Sequence, residues 1–163
     1  MNNPNLILSI DVGTQSIRAV LFNLSGEIVA LEKTEIDPYF SEKPGWAEQN
    51  PEYFWEELAK TTQQLLHDSE FISSIKAVTL TTQRGTLINL DKNAKPLRPA
   101  MIWLDQRQAN AIHFPKGITK MGLSIMKLRE AVVHAVKNAE CNWIMQNEPD
   151  VWEKTDKFLF TIY

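Results

Sequence analysis

The 163-residue chain is 44% hydrophobic and 23% charged, the balance of an ordinary globular domain able to bury a core. Its formal net charge of -3 is spread without long runs, which gives no electrostatic reason for a nucleic acid or an anionic membrane as partner and favours a small neutral or anionic ligand. Cys141 is the only cysteine, the first residues lack a signal-peptide pattern and no apolar run reaches bilayer length, so a cytoplasmic protein without an internal disulfide is expected.

In chain order, Leu6–Ile10 is apolar except for Ser9 and predicts a strand covered on both faces. Ile17–Leu24 and Glu27–Ile36 predict two more, joined across Asn23-Leu-Ser-Gly26, whose short gap with glycine marks a hairpin. Three consecutive antiparallel strands follow from this spacing. Asp37–Asn50, with Pro38, Pro44 and Gly45, reads as a surface loop. Asn50-Pro51 then starts a helix: Asn is the N-cap, Pro sits at the first helical position and Glu52 lies in the first turn. Trp55, Leu58, Ala59, Thr62 and Leu66 recur at helical spacing as its buried stripe.

Ile75–Thr82 and Gly85–Leu90 predict further strands, Asp91-Lys-Asn-Ala a turn, Ala100–Leu104 another strand and Gln106–Ile112 a helix. From Lys120 the pattern is helical, with Met126, Val133, Val136, Trp143 and Ile144 on apolar faces and Cys141 a packed small residue. Glu148-Pro149-Asp150 interrupts it, and Val151–Phe160 predicts a last helix. Strands, a helix and strands again indicate an α/β domain with a mixed sheet. Without repeats or a Gly/Ser-rich linker, residues 1–163 read as a single domain.

The chemistry concentrates where the first strand ends. Asp11 stands at the tip of a buried strand beside a glycine turn, where a carboxylate with little freedom suits Mg²⁺ held directly or through waters. Gly13 lets backbone approach a ligand, and Thr14, Gln15 and Ser16 add hydrogen-bonding side chains of the kind a polyphosphate needs. Arg18 lies in a mostly apolar strand and needs an anion: a transferred phosphate, an internal pair with Asp11, or solvent at an edge. The spacing is neither that of a P-loop nor that of a GxGxxG turn.

Three stretches, "SIDVGTQSIRAVLFNLSGEIVA", "PGWAEQNPEYFW" and "TTQRGTLINLDKNAKPLRPAMIWLDQR", resemble in order and spacing the N-terminal domain of the FGGY carbohydrate kinases, over Leu6 to Arg107. A weaker echo returns in "NWIMQNEPDVWEKTDKFLF". The resemblance implies an actin-like, ribonuclease H-like fold with a mixed sheet and flanking helices, and ATP bound between two domains. On it Asp11 would help hold Mg²⁺, and Gly13, Thr14, Gln15, Ser16 and Arg18 would face the ATP phosphates. Gln83, Arg84, Gly85, Trp103 and Asp105 would lie at the sugar or polyol.

Each residue also has a plainer role available. Arg84 could be a surface residue, Trp103 a core residue and Asp105 the cap of a helix beginning at Gln106, while Trp46 and Glu48 would anchor a loop. Xylulokinase-like members usually carry Gln-Met-His-Gly and glycerol kinases Gln-Arg-Glu where this chain has Gln83-Arg84-Gly85, which leaves the substrate open. The family's catalytic base has no match here and is expected beyond Tyr163, so the chain reads as the first domain of a longer two-domain kinase. Its uncovered inner face would favour self-association, as a homodimer. The competing expectations are a noncatalytic sugar-binding module and an actin-like structural domain.

Overall fold

The computed structural model describes residues 5–67, 71–110, 117 and 128–160. In β1 (Leu6–Val12), Leu6, Leu8, Ile10 and Val12 are buried while Ile7, Ser9 and Asp11 are half-buried. The apolar run thus belongs to a strand with one well-covered face, not to one sealed on both sides. β2 (Ser16–Asn23) pairs with it antiparallel, setting Asp11 opposite Arg18. β3 (Ile28–Glu35) pairs with β2. The expected three-stranded opening is present, and its hairpin closes with Gly26 at φ 82°, a conformation glycine adopts at little cost. Asn23 Oδ1 accepts from the Ser25 and Glu27 amides inside that turn.

α1 (Pro51–Leu65) begins as predicted, with Asn50 Oδ1 accepting from Glu52 N at 3.0 Å and Pro51 in the first turn. Its buried stripe is one residue out of phase with the expectation. Phe54, Thr61 and Leu65 are buried, Leu58 and Leu66 pack beside them, and Trp55 is 70% exposed. Thr61 is buried because its hydroxyl is satisfied: it donates to the Glu57 carbonyl and accepts from Thr34 of β3, both at 2.7 Å. With the inner face of β1 and β2, this stripe makes the first core, in which Leu6, Ile17 and Leu21 are fully buried. Each such side chain contributes roughly 1.5–3 kcal/mol.

β5 (Ile75–Thr82) joins the free side of β1 in parallel, giving the mixed sheet order β3-β2-β1-β5. Its register continues beyond the strand, since Gln83 N donates to Val12 O at 3.1 Å. Val78 and Leu80 share a face with Leu8 and Ile10 yet are 61% and 57% exposed, because α1 covers β2 and β3 instead.

A second sheet, order β4-β7-β6-β8, is antiparallel and built from β4 (Glu48–Gln49), β6 (Leu87–Leu90), β7 (Ala100–Met101) and β8 (Lys157–Phe160). After α2 (Arg129–Asn138), which lies against the following helix, α3 (Glu140–Asn147) and α4 (Pro149–Lys154) contribute to the core of this sheet around Leu87, Met101 and Ile144, with Cys141, Trp143 and Val151 beside them.

Two helix expectations are corrected here. Val151–Phe160 is not one helix: α4 stops at Lys154, and Thr155 donates its hydroxyl to Val151 O while accepting from Asn89 of β6. Lys157–Phe160 then pairs along β6, so tertiary pairing overrides local helical pattern. Gln106–Asn110 is irregular, because its amides donate outward, Ala109 N to Lys137 O and Asn110 N to Gln146 Oε1, both at 2.9 Å. Met126 and residues 111–112 lie outside the described residues.

Candidate functional site

The loops after β1 and β5 leave adjacent strands at their carboxyl ends, where α/β sheets place ligands. The first is the Gly13–Ser16 turn, closed by Gly13 N on Ser16 O at 3.0 Å and held to the chain after β3 by Ile36 N on Gln15 O. The second begins with Gln83-Arg84-Gly85. A third loop, Ile102–Asp105, comes from the second sheet and brings Trp103 to both.

These loops meet through side chains. Trp103 Nε1 donates to Thr14 Oγ1 at 3.0 Å, and Thr14 Oγ1 donates to Gln83 Oε1 at 2.7 Å. Gly85, at φ 68°, packs its Cα against Trp103, since a Cβ there would sit 3.3 Å from Trp103 Cβ. Trp103 is 56% exposed, so its ring borders solvent and is not a core residue. Arg84 is exposed. Asp11 Oδ2 accepts from Arg18 Nη1 at 2.9 Å, both side chains being 43% exposed. Of the three anions or environments open to Arg18, the internal pair with Asp11 is therefore present, and it leaves both groups within reach of a ligand.

Asp105 lies differently. Its carboxylate is 2% exposed, accepts from Ala47 N at 2.8 Å and clasps Arg107 through Nε and Nη2. Instead of capping a helix, it ties the Trp103 loop to Ala47, the residue before β4. Arg107 Nη2 also reaches Glu48 at 2.7 Å, and Glu48 takes Arg98 as a second partner, whose Nε meets Glu148 at 2.8 Å. The Arg107 guanidinium lies 4.1 Å from the ring centroid of Trp46 and 4.5 Å from that of Trp143, whose rings meet edge to face at 5.5 Å. Burial alone would lower the Arg107 pKa, but the bonds to Asp105 and Glu48 outweigh it and raise it. Trp46 and Glu48 are thus loop anchors. The network as a whole escaped sequence reading, although Glu48, Asp105 and Arg107 fall in the motif stretches already singled out.

Burial pushes the Glu140 carboxyl above the usual range, its own backbone N–H pulls back, and the Asp105 charge adds to the rise. The folded state then holds this proton more tightly than the unfolded chain does. Its contribution is complete below the ordinary glutamate pKa of about 4.3 and is lost as pH rises through the folded value. Glu140→Gln should therefore be more stable than the parent at pH 7 in urea denaturation, with the advantage shrinking toward pH 4. An advantage independent of pH would show that burial of the charge is not the cause.

The profile of the "FGGY family of carbohydrate kinases, N-terminal domain" matches residues 6–162. The chain belongs to this family. A glycerol kinase of Thermococcus gammatolerans is 33% identical over 153 residues, covering 93% of this chain and 30% of that protein. A glycerol kinase of Nitrosomonas eutropha is 41% identical over 109 residues, 66% of this chain and 22% of its own length. The chain thus spans less than a third of the curated relatives it matches. Among solved structures, the xylulose kinase of Rhodospirillum rubrum superposes with a TM-score of 0.74 at 20% identity, over 96% of this chain and 32% of that one. The Plasmodium falciparum glycerol kinase with ADP gives 0.63 at 23%, over 93% and 30%. These likenesses show that this FGGY domain has the α/β mixed-sheet fold of the N-terminal part of such kinases.

Proposed function

We propose that the chain forms one wall of an ATP-dependent kinase that phosphorylates a hydroxyl of a small sugar or polyol. The observation that carries the reading is the convergence of the Gly13–Ser16 turn, Gln83 and Trp103 at the carboxyl ends of β1 and β5 in a chain of this family. Gly13, Thr14, Gln15, Ser16 and Arg18 are assigned to the ATP phosphates. Arg84, Gly85 and the ring of Trp103 are assigned to the sugar, with Gln83 behind them. Asp105 acts from behind the site, by holding the Trp103 loop.

The donor set fits Mg²⁺. Mg²⁺ keeps several waters and is bound through one or two carboxylates together with substrate phosphates, so the half-exposed Asp11 carboxylate beside the turn suffices. No group of three ligating side chains gathers among the described residues, which agrees with a metal held mainly by the nucleotide. When bound, Mg²⁺ neutralises charge that develops on the transferred phosphoryl group. Arg18 would place its guanidinium at the same phosphates, and the turn amides would orient them. The carboxylate that accepts the hydroxyl proton is assigned to a second domain of the complete protein. ATP as donor and the free Cys141 fit a cytoplasmic protein.

The test is ADP release by the complete protein with Mg²⁺, ATP and a panel of pentuloses, hexonates and glycerol. Turnover with one class supports the reading, and none with any class overturns it. On the accepted substrate, Arg84→Ala should raise the sugar KM by about tenfold and the ATP KM far less, the loss of one hydrogen bond from a charged donor. Equal changes in both would mark Arg84 as structural.

A further inference from the structure

The chain after β3 forms a second concave surface, which shares no residue with the site assigned to ATP and the sugar. It is a hollow of about 430 Å³, the size of a small-molecule site, between the loop after β3, Gln49 of β4 and the start of α1. Tyr39, Phe40 and Tyr53 line it, and Tyr39 and Phe40 are 43% and 42% exposed although both carry large aromatic rings. The backbone beneath these rings is fixed. Phe40 and Glu48 exchange two amide bonds, at 2.9 and 3.0 Å, Asp37 N donates to Tyr53 Oη at 3.1 Å, and Gln49 Nε2 donates to Asp37 O. A ligand would therefore meet rings already held in place, which lowers its ordering cost.

The charge of the lining has one sign. Gln49 is 3% exposed and its Nε2 is engaged by Asp37 O, while its Oε1 receives no donor among the described residues. A buried carbonyl oxygen without a donor is uncommon and destabilising. The exposed Asp37 carboxylate also borders the hollow, and no Lys, Arg or His stands among the described lining residues. α1 brings its positive N-terminal end close, but Asn50 caps it and Glu52 in the first turn answers it. Aromatic faces, a carboxylate and an unpaired carbonyl oxygen all favour a cation.

We propose that this hollow binds a small primary ammonium ion, an alkylamine in its protonated form. Tyr39, Phe40 and Tyr53 supply apolar contact and cation–π attraction, and the Asp37 carboxylate accepts an N–H in a charge-assisted hydrogen bond. Gln49 Oε1 adds to the negative potential. Neither ATP nor the sugar enters this argument, so it stands apart from the kinase reading.

The experiment follows the methyl resonance of n-butylammonium by saturation-transfer NMR in the presence of the complete protein at pH 7, with 1-butanol as the neutral probe of similar shape. Butylammonium should give a saturable signal with a Kd on the order of 1–10 mM, as a ligand of few atoms allows, and butanol should give at most a small fraction of it. Asp37→Asn and Tyr39→Leu should each weaken butylammonium about two- to fivefold, the scale of one exposed ion pair or one exposed cation–π contact. Glu35→Gln removes an exposed carboxylate outside the hollow and should change nothing.

Equal binding of butanol would make the hollow merely apolar and overturn the proposal. Affinity unchanged in Asp37→Asn, or a signal that rises without saturating, would do the same. Should Tyr39→Leu fail to fold, Asp37→Asn and the butanol comparison still decide.

Discussion

Arg107→Ala should destabilise the protein by about 3–5 kcal/mol, because it strands two carboxylates inside the second half of the molecule. Asp105 and Glu48 are 2% and 5% exposed at their side chains, and Arg107 bonds to both. Removing the guanidinium leaves Asp105 with only the backbone amides of Ala47 and of position 107, and leaves Glu48 with Arg98 alone. Trp46 and Trp143, which meet edge to face, also lose the cation that lies against both rings. Exposure decides the contrast: Lys60, 54% exposed in its pair with Glu57, should cost less than about 1 kcal/mol on truncation. Urea denaturation followed by tryptophan emission measures both, and an Arg107→Ala loss no larger than that of Lys60→Ala would show that the network does not hold this region. Arg107→Lys should recover little, since an ammonium cannot meet Asp105 through two nitrogens and Glu48 at once.

Local signals were legible wherever local physics decides. The hairpin at Gly26 and the Asn50-Pro51 helix start depend on a few adjacent residues, and both are present. The phase of α1 is not decided by sequence pattern, in which Thr61 and Thr62 are equivalent; it is set by the bonds of the Thr61 hydroxyl to Glu57 and Thr34 on the buried face. The 106–110 stretch and Lys157–Phe160 were misread for a related reason. Their backbone partners, Lys137 and Gln146 for the first and β6 for the second, are remote in sequence, and a helical pattern cannot register them.

The candidate site divides in the same way. Asp11, the Gly13–Ser16 turn, Gln83-Arg84-Gly85 and Trp103 each stood out in the sequence as separate motifs. That Thr14 joins Gln83 to Trp103 was not legible, because it depends on the parallel pairing of β1 with β5 and on a loop from the other sheet. Asp105 shows the opposite case. A carboxylate beside a motif tryptophan attracts a binding role, yet its position opposite Arg107 and the Ala47 amide makes it an anchor for the loop that carries Trp103.

Asp11→Asn in the complete protein should lower turnover by at least about tenfold, roughly 1.4 kcal/mol of barrier, while the fold persists. Asparagine keeps the size and one acceptor oxygen of aspartate and removes the charge. The ion pair lost with it is 43% exposed on each side, so its removal costs no more than about 1 kcal/mol of stability. Register keeps the substituted side chain opposite Arg18 at the end of β1, and the buried Val12 next to it still anchors the strand. A turnover loss without a shift in the urea midpoint therefore isolates chemistry from folding. If the carboxylate positions Mg²⁺ at the phosphates, the variant should also need more Mg²⁺ to reach half its own maximal rate, because one charged ligand is gone. Arg18→Met gives the contrast. It leaves Asp11 charged, so turnover should fall through lost phosphate contact while the Mg²⁺ requirement stays near that of the parent. Unchanged turnover in Asp11→Asn at saturating ATP and Mg²⁺ would remove Asp11 from the mechanism and leave it as the partner of Arg18.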